Sequence, residues 1–151
     1  MAILSFNGRI NIAERIVTEK YPDAQLYEAD GVASQGPTSD PNKIDQLRVV
    51  FRNSGNSTVI IESTGWGTFG EPVLIPYPWC EDVIIKWPVI MELDEATKFK
   101  EAAGYKSLFA NVTLRNPLGP KIGNPYFIFG VNHTEPYIFV DTVTGKVHSG
   151  S

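Results

Sequence analysis

The sequence predicts an α+β protein in which two αβββ repeats pack their helices on one face of a mostly antiparallel sheet. Two segments have apolar residues at helical spacing, and each is followed by three short runs with strand-like alternation. A loop containing Gly-Pro lies at the same place in both halves. The predicted boundaries are a first repeat over 1–64, a connector rich in tryptophan and proline with one strand over 65–92, and a second repeat over 93–151, in one compact globular unit. Two unrelated α+β segments would give the same order, so the repeat is one of two interpretations.

The first half begins with a predicted helix over Arg9–Tyr21. Apolar side chains recur there every three or four residues, Asn7 precedes them as a candidate N-cap, and Pro22 ends the helix. The predicted strands that follow are Ala24–Val32, Asp45–Arg52 and Thr58–Glu62. The last two are joined by Asn-Ser-Gly-Asn, a sequence typical of a tight hairpin turn.

The second half repeats this order. Asp94 is the candidate N-cap of a helix over Glu95–Ala103, and Gly104 suits the left-handed conformation that ends many helices. The predicted strands that follow are Ser107–Arg115, Tyr126–Val131 and Tyr137–Val140.

The stretch GWGTFG at 65–70 has the spacing G-x-G-x-x-G of a dinucleotide-binding loop. Such a loop needs a helix directly after it, because the helix amides and dipole bind the pyrophosphate. Prolines at 72, 76 and 78 follow instead, so no helix begins there. We therefore interpret the glycines as turn residues and predict no nucleotide or other cofactor.

Two stretches resemble PepSY domains. The ending YIFVDTVTGKV at 137–147 is similar to their closing hairpin, and AERIVTEKYPDAQLYEAD at 13–30 is similar to their helix, turn and first strand. The first half departs from the pattern, because GWGTFG lacks the Thr-Gly-Lys of the closing turn. The resemblance implies a cystatin-like fold and a non-catalytic binding or peptidase-inhibiting module, and it transfers no catalytic residue.

The composition disfavours several partner classes. The formal net charge is −4 and the basic residues are scattered, which argues against nucleic acid or an anionic membrane as a general partner. No segment approaches the roughly 18 apolar residues of a membrane-spanning helix. The N-terminus does not read as a signal peptide, so the default expectation is a cytoplasmic protein, or a secreted one if a leader has been removed.

Few residues suggest catalytic chemistry. Cys80 is the single cysteine, which excludes an internal disulfide, and its spacing from His133 and His148 supports no Cys-His site. We expect Cys80 to be a small buried hydrophobe. Cys80-Glu81-Asp82 lacks a spaced partner, so no metal site and no catalytic residue is predicted. A pair of carboxylates brought together by the fold stays open.

The connector is the least ordinary part of the chain, because it holds all three tryptophans and four prolines. Its aromatic side chains either fill the core or form a rigid binding surface, for which Trp and Tyr are well suited. The candidate binding residues are Trp66, Phe69, Tyr77, Trp79 and Trp87.

Three functions follow as hypotheses. The first is a protein- or peptide-binding module, for example an inhibitor of a peptidase or other enzyme, as a monomer or homodimer. The second is a small-ligand-binding protein or small enzyme with an apolar pocket between sheet and helices. The third is a self-assembling protein that pairs through Val83–Ile90.

Overall fold

The computed structural model describes residues 4–79, 82–117, 123–131 and 136–150. Within them the chain forms two α-helices, a short 3₁₀-helix and ten strands. The helices are α1 (Phe6–Lys20) and α2 (Leu93–Ala102), and the 3₁₀-helix is Pro41–Lys43. The strands are β1 (Gln25–Val32), β2 (Gln46–Asn53), β3 (Ser57–Gly65), β4 (Thr68–Phe69), β5 (Val73–Ile75), β6 (Asp82–Val83), β7 (Asn111–Pro117), β8 (Tyr126–Gly130), β9 (Tyr137–Asp141) and β10 (Val147–Gly150).

These strands form one sheet in the order β10-β9-β8-β7-β1-β2-β3-β4. β5 pairs with β3 and β6 pairs with β7, and the pairings among described residues are antiparallel. β1 and β7, the first strands after the two helices, lie side by side at the centre. Asp30 of β1 is opposite Thr113 of β7.

The predicted fold class is wrong. The described residues form a ten-stranded antiparallel sheet with only two α-helices, which is more β-rich than two αβββ repeats. Three of the additional strands, β4, β5 and β6, lie in the connector, for which one strand was predicted, and β10 lies after the last predicted strand. These strands have two to four residues. A run that short shows no alternation of its own, and it forms because a neighbouring strand offers backbone partners.

One face of the sheet carries the hydrophobic core, and we call it the core face. Apolar side chains on it are neighbours across adjacent strands, as Ala29 is of Val49 and Leu114 is of Phe127. Buried residues of both helices join the same cluster, so α1 and α2 pack on this face. Gly31 allows close packing at the centre, since an added Cβ would lie 2.5 Å from Cγ2 of Ile44.

α1 begins three residues before the predicted start. Ser5 is its N-cap and accepts a hydrogen bond from the backbone of Gly8 at 2.9 Å. The predicted cap, Asn7, is instead a buried residue of the first turn. Its amide donates to the carbonyls of Val89 and Met91 at 2.9 and 3.0 Å, which attaches the connector to α1.

α2 is also capped two residues earlier than predicted. Glu92 is the N-cap and forms a capping box with Glu95, so Asp94 lies in the first turn instead. The acidic start still suits the helix dipole. Gly104 follows the helix with a φ of +95°, which confirms the left-handed ending.

The predicted turns form around residues with positive φ. Gly55 and Asn56 close the β2–β3 hairpin with φ of 70° and 58°. In GWGTFG, Gly67 has a φ of 87° and forms the turn between β3 and β4, whereas Gly65 is the last residue of β3. No helix follows this turn in the described part of the connector.

The closing turn after β9 is organised by Asp141. Its Oδ1 accepts hydrogen bonds from the backbone of Val143 at 2.8 Å and of Thr144 at 3.0 Å, and Gly145 completes the turn with a φ of 74°. Burial raises the pKa of Asp141, but the hydrogen bonds from these amides and from Asn124 outweigh it and lower the pKa below its ordinary value. The sequence VDTVTGK is thus a turn signature.

Neither described helix has the length and apolar character of a membrane-spanning helix.

Candidate functional site

The face of the sheet opposite the core face is called the open face here. Its side chains alternate in sequence with the core residues, and most are half-buried or exposed. Both described helices pack on the other side, and the connector at Tyr77 and Trp79 covers one part of this face, where Val50 and Thr58 are buried. The rest of the described face is available to a partner.

A row of side chains crosses the open face at one level, and we call it the central row. Each member is directly opposite the next on seven neighbouring strands, from β3 to β10. The members are Glu62, Arg48, Asp30, Thr113, Ile128, Phe139 and His148. The row is charged at one end and aromatic at the other.

The aromatic end is a small cluster on β8, β9 and β10. Phe139 stacks on His148 with ring centroids 4.9 Å apart and an interplanar angle of 2°. Tyr126 contacts both rings edge to face, at 6.0 Å from Phe139 and 5.8 Å from His148. The rings fix one another's positions and leave a partly exposed aromatic surface.

The charged end contains an ion pair across β1 and β2. Nη2 of Arg48 donates to Oδ2 of Asp30 at 2.8 Å, and Nε donates to the same oxygen at 3.2 Å. The hydroxyl of Thr113 donates to the other carboxylate oxygen at 3.1 Å. Arg48 keeps 44% of its side chain exposed, so its guanidinium can reach a further acceptor.

Trp79 lies on the open face beside this ion pair. Its indole N–H lies 3.1 Å from Oε1 of Glu28 and 2.9 Å from Oδ2 of Asp82, both acceptors. Arg115 forms an ion pair with Asp82, with Nε 2.7 Å from Oδ1, and the guanidinium carbon of Arg48 is 5.9 Å from the Trp79 ring. Two buried acidic side chains therefore hold the indole in one orientation.

Glu28 is a protonated acid at neutral pH. Burial, followed by hydrogen bonds with Asp82 and Asp30, raises the pKa of Glu28 to about 10. The hydrogen bond between Glu28 and Asp82 brings the two carboxyl groups into contact. The paired carboxyl groups of glycosidases are separated by roughly 5–10 Å. The arrangement thus fits a role in holding Trp79 better than glycoside chemistry.

The other predicted binding residues lie elsewhere. Trp66 covers the buried guanidinium of Arg9 at 3.7 Å and donates to the carbonyl of Leu4 at 3.2 Å. Trp87 packs against the core and donates to Oδ1 of Asn11 at 2.7 Å. These two tryptophans therefore contact α1 and its N-terminal approach.

Two more candidates complete the set. Phe69 packs partly buried against the core, and Tyr77 is 69% exposed beyond β5. The five predicted residues thus do not converge on one surface. Trp79 is the member that joins the open face.

Several predicted features fall outside this site. Cys80, Glu81 and His133 lie outside the described residues. His148 lies in β10 and belongs to the aromatic cluster. Of the run Val83–Ile90, Val83 alone lies in a described strand, and β6 pairs with β7 inside the sheet. The described residues contain no group of three side chains suited to a metal ion.

Comparison with known proteins adds a fold likeness. No protein-family model matches the chain, and no curated protein matches it. Among solved structures, the chain is similar to a protein from Clostridium difficile 630 whose crystal structure is described as that of a "putative lipoprotein". The TM-score is 0.62 at 15% sequence identity, over 99% of this chain and 95% of the other. At this identity the likeness concerns the fold alone.

Sequence reasoning missed most of the central row and the charged side chains around Trp79. A usable signal was present, because Glu28 and Asp30 in β1, Arg48 in β2 and Arg115 in β7 are charged residues at non-core positions of apolar strands. What was lacking is the register, which decides that these charges are neighbours.

Proposed function

We propose that this protein is a non-catalytic protein- or peptide-binding module and that it binds its partner on the open face. The observation that carries the proposal is the central row, in which exposed charged groups and a preformed aromatic cluster share one uncovered surface. Adjacent strands are separated by about 4.8 Å, so a row across seven strands extends about 29 Å. That length suits the footprint of a protein or of an extended peptide.

Trp79 is the proposed anchor of this surface. Aromatic residues held in place before binding lose little conformational entropy when the partner arrives. Glu28 and Asp82 supply this restraint through the indole N–H. Arg48 adds a charged group beside the ring, which favours a partner with a carboxylate or carbonyl acceptor at that position.

The PepSY resemblance remains a prediction and adds a partner class. It implies that the bound protein is a peptidase or another enzyme, which the module would inhibit by covering it. A surface that binds without reacting is consistent with the carboxyl groups of Glu28, Asp30 and Asp82 being engaged with Trp79, Arg48 and Arg115.

Selection from a random peptide library on the immobilised protein tests the proposal. Dissociation constants of the enriched peptides are then compared for the wild type and for Phe139→Ala and Arg48→Ala. We expect binding at least tenfold weaker in both variants, because centrally placed aromatic and arginine residues dominate binding energies.

Arg15→Ala is the matched control, since Arg15 is an exposed arginine of α1 on the other side of the sheet. It should bind as the wild type does. Equal affinities for all four proteins, or a library that yields no saturable binder, would contradict the proposed function.

A further inference from the structure

A groove of about 800 Å³ lies on the other side of the molecule from the central row. Its walls come from β6 and the connector that follows, from the exposed side of α2, and from the turn after β9. We call it the apolar groove, because most of its lining surface is apolar. Lining residues from the three walls include Val83, Val89, Phe99 and Val143. The volume falls in the range of small-molecule sites.

The rim of the apolar groove is exposed to an unusual extent. Ile90 is 84% exposed and Val143 is 70% exposed, and both line the groove. Of the large hydrophobic side chains in the described residues, they are the two most exposed. Exposed apolar side chains that meet at one concavity are typical of a binding site rather than of an ordinary surface.

Asn116 gives the apolar groove a directional polar group. This residue is only 7% exposed and lines the groove from β7, where it is opposite Val83 of β6. Its Nδ2 donates to the carbonyl of Gly123 at 3.2 Å, which fixes the orientation of the amide. Its Oδ1 is buried and has no hydrogen-bond partner among the residues that the structure describes. A buried acceptor without a donor is unfavourable, so a ligand that donates a hydrogen bond to this oxygen should gain affinity.

We propose that the apolar groove binds a small, uncharged, largely apolar molecule that donates a hydroxyl or N–H hydrogen bond to Oδ1 of Asn116. Among described residues, the groove is lined by one basic residue, Lys86, and one acidic residue, Glu95, and both are exposed. Their charges balance, so the lining selects neither an anion nor a cation. This site is separate from the proposed binding of a protein or peptide on the open face.

Two probes that differ by one donor test this inference. 2-Naphthol presents a hydroxyl, and 2-methoxynaphthalene has the same rings with the donor methylated. We expect calorimetric titrations to show saturable binding of 2-naphthol to the wild type. Its affinity should be about fivefold higher than that of 2-methoxynaphthalene, as expected for one hydrogen bond. Equal affinities would overturn the inference, because they would mean that water alone satisfies Asn116.

Variants assign the difference to its cause. Asn116→Ala should reduce the fivefold preference to none, with circular dichroism confirming that the variant is folded. Ile90→Ser and Val143→Ser replace exposed side chains, so they should fold normally and weaken both probes while keeping the preference. If Asn116→Ala fails to fold, Ile90→Ser and Val143→Ser still test whether the probes bind in the groove. Unchanged binding of both probes to these variants would mean that they bind elsewhere, and it would refute the proposal.

Arg48→Ala on the open face is the control, and it should bind both probes as the wild type does. In the peptide experiment, the same substitution should weaken binding at least tenfold. The two proposals can therefore fail independently.

Discussion

The two faces of the sheet are built from the same strands and differ in how their side chains pack. On the core face, Phe127 is fully buried and contacts Phe6 of α1 edge to face at 5.9 Å. On the open face of the neighbouring strand, Phe139 is half-buried and contacts only Tyr126 and His148 among described aromatic rings. The comparison shows that residue type alone does not assign a role, since the strand register decides which phenylalanine supports the fold.

The largest expected effect separates these two phenylalanines. Phe127→Ala leaves a cavity in the core and should reduce the free energy of unfolding by about 3–5 kcal/mol. Phe139→Ala removes a half-buried ring and should reduce it by about 1–2 kcal/mol, because less apolar area returns to water. Urea unfolding followed by circular dichroism measures both. Equal losses of unfolding free energy in the two variants would mean that side chains of the open face are packed as a second hydrophobic core.

The two tryptophans of the connector give the next comparison. Trp87→Ala should reduce the free energy of unfolding by about 2–4 kcal/mol, because the ring packs on the core and its N–H is bonded to Asn11. Trp79→Ala should weaken binding of library-selected peptides by tenfold or more. Trp87→Ala should leave peptide binding unchanged wherever it is still folded. If Trp87→Ala abolishes peptide binding in the folded protein, the site has been placed on the wrong face.

The raised pKa of Glu28 predicts that stability depends on pH in a way that a glutamine at this position would remove. Its pKa is about 10 in the folded protein against an ordinary value of 4.5, so the unfolded chain releases this proton at lower pH. The contribution of Glu28 to stability is therefore fully present below about pH 4.5 and is lost as the pH rises towards 10. One such proton changes the free energy of unfolding by up to about 1.4 kcal/mol per pH unit.

Glu28→Gln keeps the shape and removes the titration. Urea unfolding between pH 6 and 9 should show a steeper loss of stability in the wild type than in Glu28→Gln. Parallel curves for the two proteins would show that Glu28 is ionised in the folded state.

The smallest expected effect on stability is that of the Arg48–Asp30 ion pair. Arg48→Ala should reduce the free energy of unfolding by less than about 1 kcal/mol, because the pair is partly exposed and screened by water. The loss should shrink further in 1 M salt. A loss above 2 kcal/mol in thermal or urea unfolding would mean that Arg48 serves the fold and not the partner.

The sequence predicts the core face well and the open face poorly. Alternation of apolar residues locates β1, β2 and β9 to within one residue at their ends, and the helices are found with their starts displaced by two or three residues. For α1 the displacement arises because the side chain of Asn7 has distant partners in the connector, Val89 and Met91. A capping pattern in the sequence contains no information on such contacts.

The fold class was missed for a related reason. β4, β5 and β6 are formed by pairing with β3 and β7, and they lie in a proline-rich segment whose local preferences do not indicate a sheet. The site was missed because the neighbours of Trp79 come from β1 and β6, 51 and 3 residues away in sequence. Composition pointed to the connector as a candidate, but only the register brings Glu28, Asp30, Arg48 and Arg115 together around one of its tryptophans.

Methyl NMR of isoleucine tests the central claim most directly. Ile128 lies in the central row between Thr113 and Phe139, while Ile138 on the adjacent strand β9 is buried on the core face and Ile90 borders the apolar groove. On titration with the tightest library-selected peptide, the δ1 methyl signal of Ile128 should shift and saturate at the peptide's dissociation constant, with those of Ile138 and Ile90 nearly unmoved. Saturable shifts at Ile90 or Ile138 with none at Ile128 would contradict binding on the open face.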